Sequence, residues 1–301
     1  MNSQAVKLRD YVSGAFDENV RFKKYRELWK EVECCNTLTD YPMMLDVELS
    51  GICNLKCEEC FQNGSIEGKL GFMEMSLFKK IIDEGASKGL CSIKLQIRGE
   101  SFLHPYWCEC CCYAKEAGIM DIQITTNGAL LDEVNIQQIL DSDIDGIVFS
   151  VDSHHGDSWE GIKDGEKYES SVINNIKKFL ERKKQHNRGP WVRIQTSLSV
   201  VNDNTYSETK DFVYKNFTGV DAVVVNRIHN FSNYEDSYPD LRENYELLPC
   251  KHLFQRLAIF WDGQVTTCCM DYNNKFGLGN VNTQTIEEIW QGRKIERIMQ
   301  Y

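Results

Sequence analysis

The sequence has no apolar run approaching the ~18 residues that a membrane-crossing helix needs, so no membrane span is expected. Its opening stretch, "MNSQAVKLRDYVSGAF", lacks the apolar core of a secretory signal. The chain therefore reads as cytoplasmic. Positive charge is scarce: 34 Lys and Arg stand against 45 Asp and Glu, for a net charge of −11. A surface this acidic repels phosphate backbones, and no nucleic-acid partner is expected. A disulfide framework is missing too, since the 13 cysteines are odd in number and accompany no secretion signal. What is present is a 301-residue chain, 42% hydrophobic and 26% charged. That composition suits a soluble globular enzyme, and the length allows one large domain plus a smaller one.

Three cysteines, Cys53, Cys57 and Cys60, crowd into "GICNLKCEECF" at 51–61 in a C-x3-C-x2-C pattern. A structural zinc site closes on four ligands, usually as two C-x2-C-like pairs. Here the next cysteine is Cys91, on another predicted strand. A [4Fe–4S] cluster also takes four thiolates as a rule. Three thiolates leave one iron open to an outside ligand, and an open metal position signals reactivity rather than structure. Cys34, Cys35, Cys91, Cys108, Cys110, Cys111 and Cys112 read instead as small packed hydrophobes.

Residues 1–40 are charged with scattered aromatics and read as one or two amphipathic helices. Strand-like runs follow at 43–51, 92–99, 121–128, 145–152, 191–200 and 220–228. Helical patterns such as "SLFKKIIDEGASKG" and "YESSVINNIKKFLERKKQ" lie between them. Such β-α repeats predict a parallel sheet with helices outside, an α/β partial (β/α)6 barrel of TIM type over 41–235. A small β-hairpin-plus-helix extension is expected over 236–301, with Asp262-Gly263 at the hairpin turn.

In such a barrel, functional residues gather at the C-terminal ends of the strands. The cysteine loop follows the first strand there. "RGES" (98–101), "TTNG" (125–128) and "SVDSHH" (150–155) end the next three. His154 and His155 read as a surface pair. Asn226 and His229 end the sixth strand on the same rim, and Gln195 and Ser197 share one side of the fifth, which suggests a ligand contact.

"CNLKCEEC" after a β-strand resembles the cluster loop of the radical S-adenosylmethionine (SAM) superfamily, and the likeness runs along nearly the whole chain. It implies that Cys53, Cys57 and Cys60 hold a [4Fe–4S] cluster whose fourth iron is chelated by SAM. It further implies reductive cleavage of SAM and abstraction of a hydrogen atom from the substrate, with the protein supplying position and exclusion of water. Gly99 and Glu100 match the family's Gly-Glu segment, which contacts the methionine amino group, and Asn127 belongs to a recurrent "TTNG". By the same match Ser150 and Asp152 lie near the ribose, and Lys163 stands where many members carry an arginine. Gln195 joins the expected cofactor contacts. Two departures concern the adenine contacts: the residue before the third cysteine is Glu59, with Phe61 just after, and the Gly-Glu segment ends in Ser101 where proline is common. A flavodoxin- or ferredoxin-type electron donor is implied.

Cys250, Gly263 and Cys268, followed by "LGNVNTQTIEEIW", resemble the start of a SPASM or twitch domain, which holds auxiliary iron–sulfur clusters. Full SPASM domains continue with more cysteines, so this one is abbreviated or the native chain extends past Tyr301. Cys250, Cys268 and Cys269 are the candidate auxiliary ligands. Cys269 needs a loop at 268–271, because on a regular strand it would face away from Cys268. His252, Asp271, a distant thiol such as Cys34 or Cys35, and the substrate itself at an open iron are candidates for a fourth ligand. Forty residues before the first strand are too few for an independent leader-binding module. The expected substrate is therefore a carbohydrate or aminocyclitol-type small molecule, oxidised or epimerised. Modification of a peptide or protein side chain is the alternative, and an iron–sulfur electron-transfer or scaffold protein, or a zinc-stabilised binding module, is the non-enzymatic one.

Overall fold

A computed structural model of the protein describes residues 19–35, 38–57, 60–62, 64, 66–151, 165–186, 188–198, 203–227 and 250–292. Six strands run parallel in sequence order: β1 (Met44–Val47), β2 (Ser92–Lys94), β3 (Asp121–Thr126), β4 (Gly146–Ser150), β5 (Trp191–Leu198) and β6 (Ala222–Arg227). Helices α2 (Met75–Ser87), α3 (Trp107–Glu116), α4 (Glu133–Asp141), α5 (Gly165–His186) and α6 (Asp203–Asn216) connect them. The order β6-β5-β4-β3-β2-β1 means that each crossover steps the same way. This is the unclosed parallel sheet expected of a partial barrel.

One face of the sheet is apolar for a physical reason: side chains alternate along a strand, and helices cover one side. Leu45, Val47, Ile93, Ile122, Ile124, Ile147, Phe149, Val192 and Ile194 are almost wholly buried in one core with Phe78, Ile81 and Ile82 of α2 and Ile176 and Phe179 of α5. Cys110 and Cys111 of α3 join it, in line with their reading as packed thiols. Helix α4 escapes the sequence pattern because it is short; Asp132 caps it, accepting from Asn135 N–H at 2.8 Å.

Helix α1 (Val20–Cys35) closes the N-terminal ends of the strands. Its Phe22 and Tyr25 pack with Met43, Cys91 and Phe254, and Arg21 donates to the carbonyls of Leu90 (3.1 Å) and Gly118 (3.2 Å), at the starts of β2 and β3.

The C-terminal segment continues the same sheet. β7 (Arg256–Ile259) pairs parallel with β1, and β8 (Gln264–Thr266) and β9 (Gly279–Asn280) add antiparallel strands, giving the order β6-β5-β4-β3-β2-β1-β7-β8-β9. Gly263 adopts φ 85° at the β7–β8 turn, a conformation that favours glycine after Asp262. The short helix α7 (Ile286–Trp290) begins with a capping box between Thr285 and Glu288.

Candidate cofactor and metal site

The cysteine loop leaves β1 and rests directly on the barrel rim. Gly99 approaches it so closely that a Cβ there would collide with the carbonyl oxygens of Ser50 and Ile52, so only glycine fits. The next residue seals the contact, with Glu100 N–H donating to Ile52 O at 2.9 Å. Gln62, just past the third cysteine, donates from Nε2 to Gly51 O (2.7 Å) and Arg98 O (3.0 Å). The loop is thus pinned at both ends to the segment 98–100.

Cys53, Cys57 and Cys60 are half-buried free thiols. Cys60 N–H donates to Cys57 O at 3.0 Å. The sulfurs already receive N–H groups: Leu55 N–H on Cys53 Sγ and Gln62 N–H on Cys60 Sγ, each at 3.5 Å, with Asn127 Nδ2 3.9 Å from Cys53 Sγ. Burial pushes the Cys53 thiol up to about 11, helped by Glu100, and raises Cys60 as well. Burial thus favours the protonated form, and a metal that binds these thiols displaces the proton. Among the described residues no three His, Cys, Asp or Glu side chains form a site for a metal ion. Half-exposed thiols on one pinned loop, with N–H donors on sulfur, suit a [4Fe–4S] cluster with one open position.

The other expected contacts gather on the same rim. Glu100 is buried, and its carboxylate accepts from Asn127 N–H (2.8 Å) and Phe102 N–H (3.2 Å); burial raises its pKa to about 6. Asn127 Nδ2 also donates to Asn54 Oδ1 at 2.9 Å, tying the end of β3 to the cysteine loop. Ser150 and Gln195 are register partners on β4 and β5, as are Ser197 and Asn226 on β5 and β6, all four half-buried on the inner face. Asp152, His154, His155, Lys163 and His229 lie outside the described residues. Phe61 is buried and stacks on Tyr272 of the C-terminal segment, with ring centroids 4.7 Å apart and planes 7° from parallel.

Sequence reasoning missed Glu48 and Arg98 as a pair. Arg98 forks onto the fully buried Glu48 carboxylate at 2.8 and 2.6 Å, and donates from Nη1 to Tyr272 O at 2.9 Å. Its guanidinium lies 3.9 Å from the centre of the Phe260 ring. The signal was there: Asp46 and Glu48 are charged residues two apart inside an apolar strand, where period-two alternation puts both on the inner face.

The C-terminal thiols are placed differently. β8 ends at Thr266, and a turn closes with Asp271 N–H on Cys268 O at 3.0 Å, so the required loop at 268–271 exists. Cys268 and Cys269 hydrogen-bond to each other, which pulls the Cys269 thiol down to about 6 and pushes Cys268 up. Cys250 is exposed and lies near enough to Cys268 to influence it. Asp271 is committed to the turn, accepting from Thr266 Oγ1, Lys275 N–H and Phe276 N–H, and His252 Nδ1 meets Arg256 Nη2 at 2.6 Å. The side chains of Cys34 and Cys35 lie outside the described residues.

Comparison with known proteins adds to this geometry. The profile of an iron–sulfur cluster-binding domain, SPASM, matches residues 250–300. A tungsten-containing aldehyde ferredoxin oxidoreductase cofactor-modifying protein of Pyrococcus furiosus is 24% identical over 293 residues, spanning 83% of this chain and 81% of the relative. Among solved structures, BtrN in complex with AdoMet and 2-DOIA aligns with a TM-score of 0.56 at 17% identity, covering 86% of this chain and 85% of that one. Streptococcus suis SuiB bound to its precursor peptide SuiA aligns with a TM-score of 0.66 at 15% identity, covering 99% and 76%. The radical SAM profile matches residues 47–212, more than half of the sequence and the whole of the cysteine rim, so the chain belongs to the radical SAM superfamily.

Proposed function

We propose that the protein abstracts a hydrogen atom from a small, polar, carbohydrate- or aminocyclitol-type molecule held against the inner face of the barrel, and thereby oxidises or epimerises it. As a radical SAM protein it is an enzyme that uses a [4Fe–4S] cluster and SAM. The cluster and SAM, when bound, supply one-electron cleavage of SAM and the hydrogen-atom abstraction. The chain's own residues do the rest. Cys53, Cys57 and Cys60 hold the cluster on the pinned loop. Gly99 lets the 98–100 segment approach that loop, and Glu100 fixes the backbone of Asn127 beside it. Ser150, Asp152, Lys163 and Gln195 are assigned to SAM, and a flavodoxin or ferredoxin to electron delivery.

The observation that carries the substrate reading is the chemistry of the inner face. Asp46, Lys94 and Gln123 are register partners across β1, β2 and β3, and Arg193, Gln195 and Ser150 continue the same face. A sheet face this polar, walled by strands beneath the cysteine rim, suits a compact ligand rich in hydroxyl or amino groups. A peptide or protein side chain is the second reading, favoured by the likeness to SuiB over nearly the whole chain.

The test uses anaerobically reconstituted, reduced protein with SAM and substrates deuterated at carbinol carbons. The expected result is deuterium in 5′-deoxyadenosine with a polyol or aminocyclitol. Transfer from peptides alone would replace this reading by the second.

A further inference from the structure

The inner face holds a group of charges that neither the cysteine rim nor the core accounts for. Lys94 is the last residue of β2 and points to the side opposite Ile93, away from the helix-packed core. Among the described residues no hydrogen bond or ion pair holds its ammonium. Burial is the strongest influence on it; Asp46 and Cys269 act on it as negative groups, Arg256 and Arg193 as positive ones. Asp46 is already engaged, with Oδ2 3.3 Å from Arg256 Nη1, and its buried Oδ1 has no hydrogen-bond partner among the described residues. The Lys94 ammonium therefore shares the inner face with Asp46, Arg256 and Arg193, and the one carboxylate beside it in register is already taken up by Arg256. Stranding an ammonium in a half-buried position costs free energy unless an anion meets it.

The position fits a small ligand. Asp46, the register partner of Lys94, lies four residues before Ser50 at the foot of the cysteine loop. That is roughly 13 Å along an extended strand, and the lysine side chain spans part of it.

We propose that Lys94 is the anchor for an anionic group, a carboxylate or phosphate, on the substrate, with Arg193 as its neighbouring cation and Cys269 forming the adjacent wall. This rests on the reading of the inner face as the substrate site and narrows it to anionic members of the small-molecule class. The gap between Lys94 and the rim then sets which carbon of the substrate faces SAM.

The experiment measures binding of inorganic phosphate, and separately of acetate, by calorimetry on SAM-saturated reconstituted protein, so that the SAM carboxylate site is filled. Saturable binding of one of the two is expected. Lys94→Gln should weaken it by about tenfold or more, the loss of a charge-assisted hydrogen bond, while Lys94→Arg retains most of it. Asp46→Asn should tighten binding, because it removes the competing carboxylate; this variant carries the test if Lys94→Gln does not fold. Absence of saturable binding, or equal affinity in wild type, Lys94→Gln and Asp46→Asn, overturns the proposal. Formation of 5′-deoxyadenosine by the wild-type protein is read in parallel. Its loss would sink the radical reading itself, whereas intact formation without anion binding would sink only the anchor.

Discussion

Two groups of thiols in this protein contrast in how they are built. Cys53, Cys57 and Cys60 lie within eight residues of one another, on a loop fixed by backbone contacts to the rim at Gly51, Ile52, Arg98 and Glu100. Cys250 and Cys268 are separated by a hairpin; one is exposed, the other half-buried beside Cys269. The first group is a local device that needs only the strand before it and one glycine opposite. The second exists only because β7 pairs with β1 and the turn at 268–271 folds back. A local site carries its own geometry, while a site assembled across a hairpin depends on tertiary structure and on ligands brought from elsewhere.

The sharpest way to break the comparison is at the rim. Cys57→Ala should reduce 5′-deoxyadenosine formation to background, because three thiolates are the minimum that leaves a single open iron for SAM. The same change should alter the stability of the metal-free protein by no more than about 0.5 kcal/mol, since the side chain lies on a rim loop. Anaerobic turnover with chromatography, together with denaturant unfolding, reads both. Cleavage of SAM above background by Cys57→Ala would remove the rim loop from its role.

The second test asks whether the hairpin thiols hold iron at all. Protein lacking Cys53, Cys57 and Cys60, reconstituted with iron and sulfide, should retain about four irons per chain. These should be lost when Cys250 and Cys268 are replaced as well. A folded, iron-free triple variant would reduce the second group to packed thiols. Asp271 is a poor fourth ligand, since both of its oxygens already hold the turn, and this leaves His252, a distant thiol or the substrate.

The same contrast explains what was legible in the sequence. Strand runs of alternating or continuous apolar residues located all six parallel strands, because burial of one face imposes the period. Asp262-Gly263 announced its turn, because the backbone there needs a positive φ. The C-x3-C-x2-C spacing was readable because its ligands are near in sequence. By contrast, helix α4 is only nine residues long, with its apolar face reduced to Ile136, Ile139 and Leu140, and α6 is largely polar, so both are weak signals. The Glu48–Arg98 pair and the Phe61–Tyr272 stack join residues 50 and 211 positions apart; alternation marks Glu48 as an inner-face charge, but a linear reading does not supply the partner of either. Phe61 is expected to be a cofactor contact for its place after the third cysteine; the structure adds a stack on Tyr272 of the C-terminal segment.

That stack is where the two regions meet, and it offers the smallest but most specific test. Phe61 follows the last cysteine of the rim loop, and Tyr272 follows the turn that carries Cys268 and Cys269. Arg98 adds a second link through the Tyr272 carbonyl, and Glu67 N–H a third through Asn273 Oδ1 at 3.0 Å. Both of these use atoms that survive a change of the Tyr272 side chain. A cycle of Phe61→Leu and Tyr272→Leu therefore isolates the ring pair. The expected coupling energy is about 0.5–1.5 kcal/mol, as for other stacked aromatic pairs. Strictly additive effects on unfolding would mean that the ring pair adds nothing to the two hydrogen-bonded links between the rim loop and the C-terminal turn. Coupling in that range would mean that order at one group of thiols is transmitted to the other. Filling the hairpin site with iron would then tighten the loop that receives SAM, and SAM affinity in the Cys268→Ala protein should fall by roughly two- to tenfold, less so when Tyr272→Leu is added.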